Sequence, residues 1–209
     1  MWKDRIRRVL DDSRFAQGRK HARQAEELKR WRAANRPLPT PHLVKSTRLR
    51  ELAQRFGCGT LIETGTCLGE MVVALRGDFQ TIHSIELSPY LAARAKDRLA
   101  KASHVTVHQG DSATLLPTLL ADLKGRALIW LDAHYSGGVT ARGVEHSPIA
   151  HELTAVGKRP GHVVVIDDAD LFVGKDGYPQ MEEMRALTRR VFPGYHFAVS
   201  DNMIEMIPP

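Results

Sequence analysis

The chain has 209 residues, of which 43 % are apolar and 26 % charged, a globular balance that excludes collagen-like, low-complexity and wholly disordered chains. No run of 18 apolar residues reads as a membrane span, and the N-terminal stretch MWKDRIRRVLDDSRF has no apolar core of the kind a secretory signal needs. The formal charge of +6 is unevenly placed: residues 1–36 carry twelve Lys and Arg against five Asp and Glu, while the remaining 173 residues balance at −1.

The basic character therefore belongs to an N-terminal arm, residues 1–42, expected to be helical. Two readings of it stand side by side. A basic arm suits an anionic partner such as nucleic acid. The preferred reading is a solvated amphipathic helix that packs Ile6, Val9, Leu10, Leu28 and Trp31 against the body, because aromatics do not alternate with the basic residues as single-strand readers require. Trp2, Ile6, Leu28 and Trp31 also suit pairing across a homodimer. The Pro-rich segment RPLPTP (36–41) ends the arm. Cys58 and Cys67 are too few for a disulfide framework and lack metal-ligand spacing, so a reducing cytoplasm is the expected compartment.

From residue 43 the text becomes periodic. Leu49, Leu52, Ala53 and Phe56 recur at helical spacing and predict a helix over 43–56. Short apolar runs then alternate with helical stretches. TLIETGT (60–66), TIHSIEL (81–87), VTVHQGD (105–111), ALIWLDAH (127–134) and HVVVIDDAD (162–170) read as strands; 69–76, 89–102, 112–123 and 147–157 read as helices. Pro89 and Pro148 suit first helical turns, with Ser88 and Ser147 as caps. Alternation of this kind predicts a parallel sheet covered on both faces. After a helix around 179–192, YHFAVS and MIEMIP flank Asp201-Asn202, which predicts an antiparallel hairpin. The expected fold is α/β: five parallel strands plus a C-terminal antiparallel hairpin, in one domain spanning 43–209.

Ligands of open α/β sheets bind beyond the carboxyl ends of the strands, and three such ends are polar here. The first is Glu63-Thr64-Gly65-Thr66-Cys67-Leu68-Gly69, in which Gly65 permits close backbone approach and Gly69 tight helix packing. At the second, Glu86 can accept both hydroxyls of a ribose. At the third, Asp111 can accept from an adenine amine and Ser112 can cap the next helix. The dinucleotide fingerprint fails, because positions i+2 and i+5 from Gly65 are Cys67 and Glu70. Without a phosphate cradle, an adenosine that carries no phosphates is the better ligand.

With these residues in order, the sequence over about 43–207 resembles the class I S-adenosylmethionine-dependent methyltransferases, through ETGTCLGE, SIEL, QGDS and the terminal hairpin. The resemblance implies a Rossmann-like sheet and a cofactor site in which Glu63, Thr64, Gly65, Thr66 and Gly69 form the methionine-side loop. It makes Glu86 the ribose clamp and places Asp111 and Ser112 at the adenine. Cys67 departs from it, standing where the fuller pattern has a middle glycine.

Asp132 ends the fourth strand and Asp167-Asp168 the fifth. In the methyltransferase sheet these strands are neighbours about 4.8 Å apart, so three carboxylates converge. A hard divalent ion, Mg²⁺, relieves their repulsion and takes oxygen ligands readily; helix capping and sheet-end hydrogen bonds are the alternative. The arrangement resembles metal-dependent O-methyltransferases of the catechol and sugar types, which implies Asp132, Asp167 and Asp168 as ligands. His134, two residues past Asp132, is the first choice for the base that takes the hydroxyl proton, with metal ligation or a structural role as alternatives. His146 and His151 are weaker candidates. The stretch Tyr135–Gly143 reads as a cover over the substrate, with Tyr135 and Arg142 as contacts; Asp170 and Lys175 belong to a second rim loop.

The leading functional expectation is Mg²⁺-assisted methylation of a hydroxyl on a small molecule, a sugar or natural product. Methylation of RNA ribose with help from the arm is the runner-up, since Asp132-Ala133-His134-Tyr135 lacks the Asn/Asp-Pro-Pro-aromatic motif usual for base amines. A non-catalytic cofactor-binding protein is the third.

Overall fold

In the computed structural model residues 14–133, 148–175 and 177–209 are described. The chain divides into two compact units, Met1–Lys45 and Ser46–Pro209. In the first, helix α1 (Arg14–Ala33) exposes Arg23, Lys29, Arg30 and Arg32. It stops where Asn35 and Arg36 turn left-handed, at φ 62° and 56°. Trp31 is buried, and its indole N–H donates to the Pro37 carbonyl at 2.7 Å, which ties the proline-rich turn back onto its own helix. Leu28 is half-buried; Trp2, Ile6, Val9 and Leu10 lie outside the described residues.

Helix α2 (His42–Phe56) is followed by β1 (Thr60–Thr64), α3 (Glu70–Leu75), β2 (Thr81–Glu86), α4 (Pro89–Leu99), β3 (Val105–Gln109), α5 (Ser112–Asp122) and β4 (Ala127–Leu131). Then come α6 (Ile149–Gly157), β5 (Val163–Ile166), a 3-10 turn (Ala169–Leu171), α7 (Met181–Val191), β6 (His196–Ser200) and β7 (Met203–Ile207). The sheet has seven strands in the order β3-β2-β1-β4-β5-β7-β6. Strands β1 to β5 are parallel, while β7 runs antiparallel between β5 and β6. The hairpin turns on Asp201 and Asn202, whose φ of 47° and 62° are those of the tight turn that matches strand twist.

Central strands are buried on both faces, so ALIWL and VVVI are apolar throughout. Alternation still sorts their side chains between two cores. Leu61, Leu128, Trp130 and Val165 meet Leu49, Leu52, Val72 and Ala95 on one face. Ile62, Ile129 and Val164 meet Leu116, Leu153 and Met184 on the other. One polar contact crosses the first core: Arg48 of α2 forms a two-pronged ion pair with the buried Glu205 of β7, at 2.6 and 2.7 Å.

Two capping expectations are corrected. Helix α5 is capped by Asp111, whose side chain accepts from Ala113 N–H at 3.1 Å, and Ser112 is the first helical residue instead of the cap. Pro148 stands at the cap position of α6 and not in its first turn, while Ser147 lies outside the described residues. Ser88 caps α4 as expected. Among the described residues no helix is long and apolar enough to cross a membrane.

Candidate functional site

Parallel strands end on one edge, so the residues just past β1, β2, β4 and β5 are brought together by topology alone. Gly65, at φ 85°, makes the turn out of β1, and its N–H donates to the Ile85 carbonyl at 2.9 Å. A Cβ at this position would overlap the Asp132 carbonyl. The glycine is thus required by the neighbouring strand end, whatever else approaches. Gly69, at φ 71°, caps α3 and faces Leu99 of α4.

The register sets Ser84 of β2 directly beside Glu63 of β1. The Ser84 hydroxyl donates to the Glu63 carboxylate and lies 2.5 Å from the Thr66 hydroxyl. Glu63 is 2 % exposed. Burial holds its carboxyl up to about 8, Ser84 opposes that rise, and the charges of Asp132 and Glu86 add to it. Glu86, also buried, accepts from Cys67 N–H at 2.7 Å with one oxygen and from Ser88 N–H at 2.9 Å with the other. Each oxygen keeps a lone pair, so an oriented carboxylate stands at the end of β2, able to accept from a diol.

Asp132 N–H donates to the Thr64 carbonyl and Asp167 N–H to the Leu131 carbonyl, each at 3.0 Å. These bonds continue the ladders one rung past the strands and set the two aspartates side by side. Asp168 follows in a left-handed conformation, φ 50°, and its N–H donates to Asp167 Oδ1 at 2.9 Å. One carboxylate oxygen from each of Asp132, Asp167 and Asp168 lies within 4.8 Å of the others. A donor set made only of hard carboxylate oxygens at that separation fits a small divalent cation.

Three further residues belong to this edge and were not singled out in the sequence. Asn202, in the hairpin turn, accepts Ala169 N–H on its carbonyl and Asp170 N–H on its side chain, both at 2.8 Å, and so clamps the loop that carries Asp168. Asp201-Asn202 was legible as a turn; the clamp depends on β7 lying next to β5. Glu152 of α6 is 1 % exposed, with Oε1 unpartnered among the described residues. Burial holds its carboxyl up to about 7, with Ser112 and Thr64 near enough to oppose the rise. Tyr178 packs edge-on against Phe172, ring centroids 5.3 Å apart, and its buried hydroxyl is likewise unpartnered. Burial, then the charges of Asp168, Asp132 and Asp167, raise its pKa. Asp132, Asp167, Glu152 and Tyr178 line one cavity of about 20 Å³, room for a single water.

His134, His146 and the stretch Tyr135–Gly143 lie outside the described residues, and His151 is exposed on α6. Among the other histidines, His162 accepts from Ala127 N–H at 3.1 Å, His104 meets the Arg76 carbonyl at 2.8 Å, His83 and His108 pair at 3.1 Å, and His196 is exposed on β6.

No family model matches the chain, and no curated protein does. Solved structures do. The chain is similar to a Podospora anserina methyltransferase with bound S-adenosylhomocysteine (SAH), at 14 % identity and a TM-score of 0.59, covering 94 % of this chain and 97 % of that one. It is similar to a Bacillus cereus O-methyltransferase, also with SAH, at 18 % identity and 0.58, over 88 % and 90 %. It is similar to the O-methyltransferase TomG of Streptomyces achromogenes, involved in tomaymycin synthesis and solved with S-adenosylmethionine, at 21 % and 0.54, over 89 % of each chain. The chain has the class I S-adenosylmethionine-dependent methyltransferase fold.

Proposed function

We propose that this protein is an S-adenosylmethionine-dependent methyltransferase that methylates a hydroxyl of a small molecule with help from a divalent cation. The observation that carries the reading is the convergence of Asp132, Asp167 and Asp168 within 4.8 Å on adjacent strand ends, on the sheet edge that also carries a buried and oriented Glu86. Support comes from the O-methyltransferases that share the fold, one of them involved in tomaymycin synthesis.

When bound, S-adenosylmethionine supplies the electrophilic methyl group and Mg²⁺ supplies Lewis acidity toward the acceptor oxygen. The chain's own residues do the rest. Glu86 holds the ribose. Glu63, Thr64, Gly65, Thr66 and Gly69 shape the loop at the methionine end, and Asp111 and Ser112 stand at the adenine end. Asp132, Asp167 and Asp168 would hold the cation, and orienting the acceptor oxygen beside them is the main service a direct displacement needs from the protein. His134 takes the hydroxyl proton. Turnover of a methyl donor with a panel of sugars and polyhydroxylated natural products, with and without EDTA, tests the reading. Full activity in EDTA removes the cation from it, and absence of S-adenosylmethionine binding in calorimetry removes the cofactor.

A second reading, ribose methylation of RNA, draws on the exposed Arg23, Lys29, Arg30 and Arg32 of α1. RNA affinity that falls steeply with added salt would favour it.

A further inference from the structure

Two polar groups at the cavity behind the aspartates are left over by the proposed chemistry. Glu152 is 1 % exposed and keeps one carboxylate oxygen unpartnered among the described residues. The Tyr178 hydroxyl is buried and, among the described residues, also unpartnered. Both residues line the same small cavity as Asp132 and Asp167. A buried polar atom without a partner is costly, and two such atoms on residues that line one water-sized space point to a shared occupant that can bond to both. Chain placement supports this. Glu152 lies in the first turn of α6, where the helix N-terminus favours negative charge. Tyr178 is held edge-on by Phe172. The cavity is too small for an acceptor molecule, and its lining mixes Asp132, Glu152, Asp167 and Tyr178 with apolar side chains.

We propose that Glu152 and Tyr178 form an outer wall of the cation site, their unpartnered oxygens hydrogen-bonding the hydration shell of an ion held by Asp132, Asp167 and Asp168. The inference rests on the cation reading above and adds to it two positioning residues. Magnesium-type ions keep several waters when bound by protein, and partners of this outer layer commonly govern affinity by about 10–100-fold. Glu152 acts as acceptor. Tyr178, able to donate or accept, restricts how the water can turn.

The test uses Mn²⁺ alone as the probe, titrated into the full chain and followed by electron paramagnetic resonance, with metal-free melting recorded for every variant. Glu152→Gln should raise the Mn²⁺ dissociation constant about tenfold and Tyr178→Phe about threefold. Because both groups serve one water, the double variant should be little weaker than Glu152→Gln alone. A merely structural role would shift the metal-free melting temperature and leave the dissociation constant unchanged. Wild-type affinity in both folded variants overturns the proposal. So does a loss confined to Glu152→Gln, which would show a charge acting at a distance. If Glu152→Gln does not fold, the isosteric Tyr178→Phe decides alone, threefold weakening for and no change against. Failure of the wild type itself to bind Mn²⁺ overturns the cation reading of the triad, and this wall with it.

Discussion

Replacing Glu63 by Gln should flatten the pH dependence of stability, and the structure sets both sign and size. Glu63 is buried beside Ser84, with its carboxyl held up to about 8 against an ordinary value of 4.5. Between those values the folded chain keeps a proton that the unfolded chain has released. Stability therefore falls as pH rises from about 4.5, and the loss is complete above about 8. This is the reverse of a salt-bridged carboxylate, whose contribution is lost in acid. At about 1.4 kcal/mol per pH unit, Glu63 alone accounts for roughly 3 kcal/mol between about pH 5.5 and 8.5. Glutamine keeps the shape and still accepts from Ser84, but it has no proton to lose. Urea denaturation of wild type and Glu63→Gln in EDTA, at several pH values across that window, reads the difference. Glu152, held up to about 7, contributes a slope of the same sign to both proteins and cancels from the comparison. Identical slopes, or a wild type that gains stability with rising pH, would refute the reasoning.

Arg48→Met should cost about 3–5 kcal/mol, because it leaves the Glu205 carboxylate, with its side chain only 4 % exposed, without its two-pronged partner; chemical denaturation measures the loss. Gly65→Ala should destabilise by roughly 2–4 kcal/mol, from a left-handed backbone and from overlap with the Asp132 carbonyl. The displaced Asp132 should also weaken Mn²⁺ binding in the folded fraction. Glu86→Ala should weaken S-adenosylmethionine binding by roughly 1.5–3 kcal/mol in calorimetry, with wild-type affinity counting against the ribose role. Asp168→Asn should lower turnover and recover part of it at high Mg²⁺, while cofactor affinity stays near that of the wild type.

The alternation of apolar runs with amphipathic stretches was sufficient to locate strands β1 to β7 and helices α2 to α7, because period and punctuation are local properties that survive in any correct fold. The terminal hairpin was equally legible, since Asp201-Asn202 tolerates the positive φ that a two-residue turn demands. Helix ends were read less well. Asp111 and Ser112 are adjacent and both able to cap, and only the backbone path out of β3 chose the aspartate.

Within the site, the positions of Glu63, Glu86, Asp132, Asp167 and Asp168 at strand ends came from sequence, and the resemblance implied that the three aspartates meet, but the partner of Glu63 was not legible. Register placed Ser84 against Glu63. The adjacency of β4 and β5 brought Asp132 beside Asp167. Glu152 and Tyr178 carry no signal along the chain and Asn202 only that of a turn: a glutamate in a first helical turn, a tyrosine after a glycine and an asparagine in a turn are ordinary there. What distinguishes them is burial without a partner, or a bond made across 32 residues to Asp170. Sequence by itself determined which elements form and which strand ends are polar, because those depend on short-range pattern. The tertiary structure decided which polar groups share a volume, because electrostatics and hydrogen bonding act through space between residues whose separation along the chain is arbitrary.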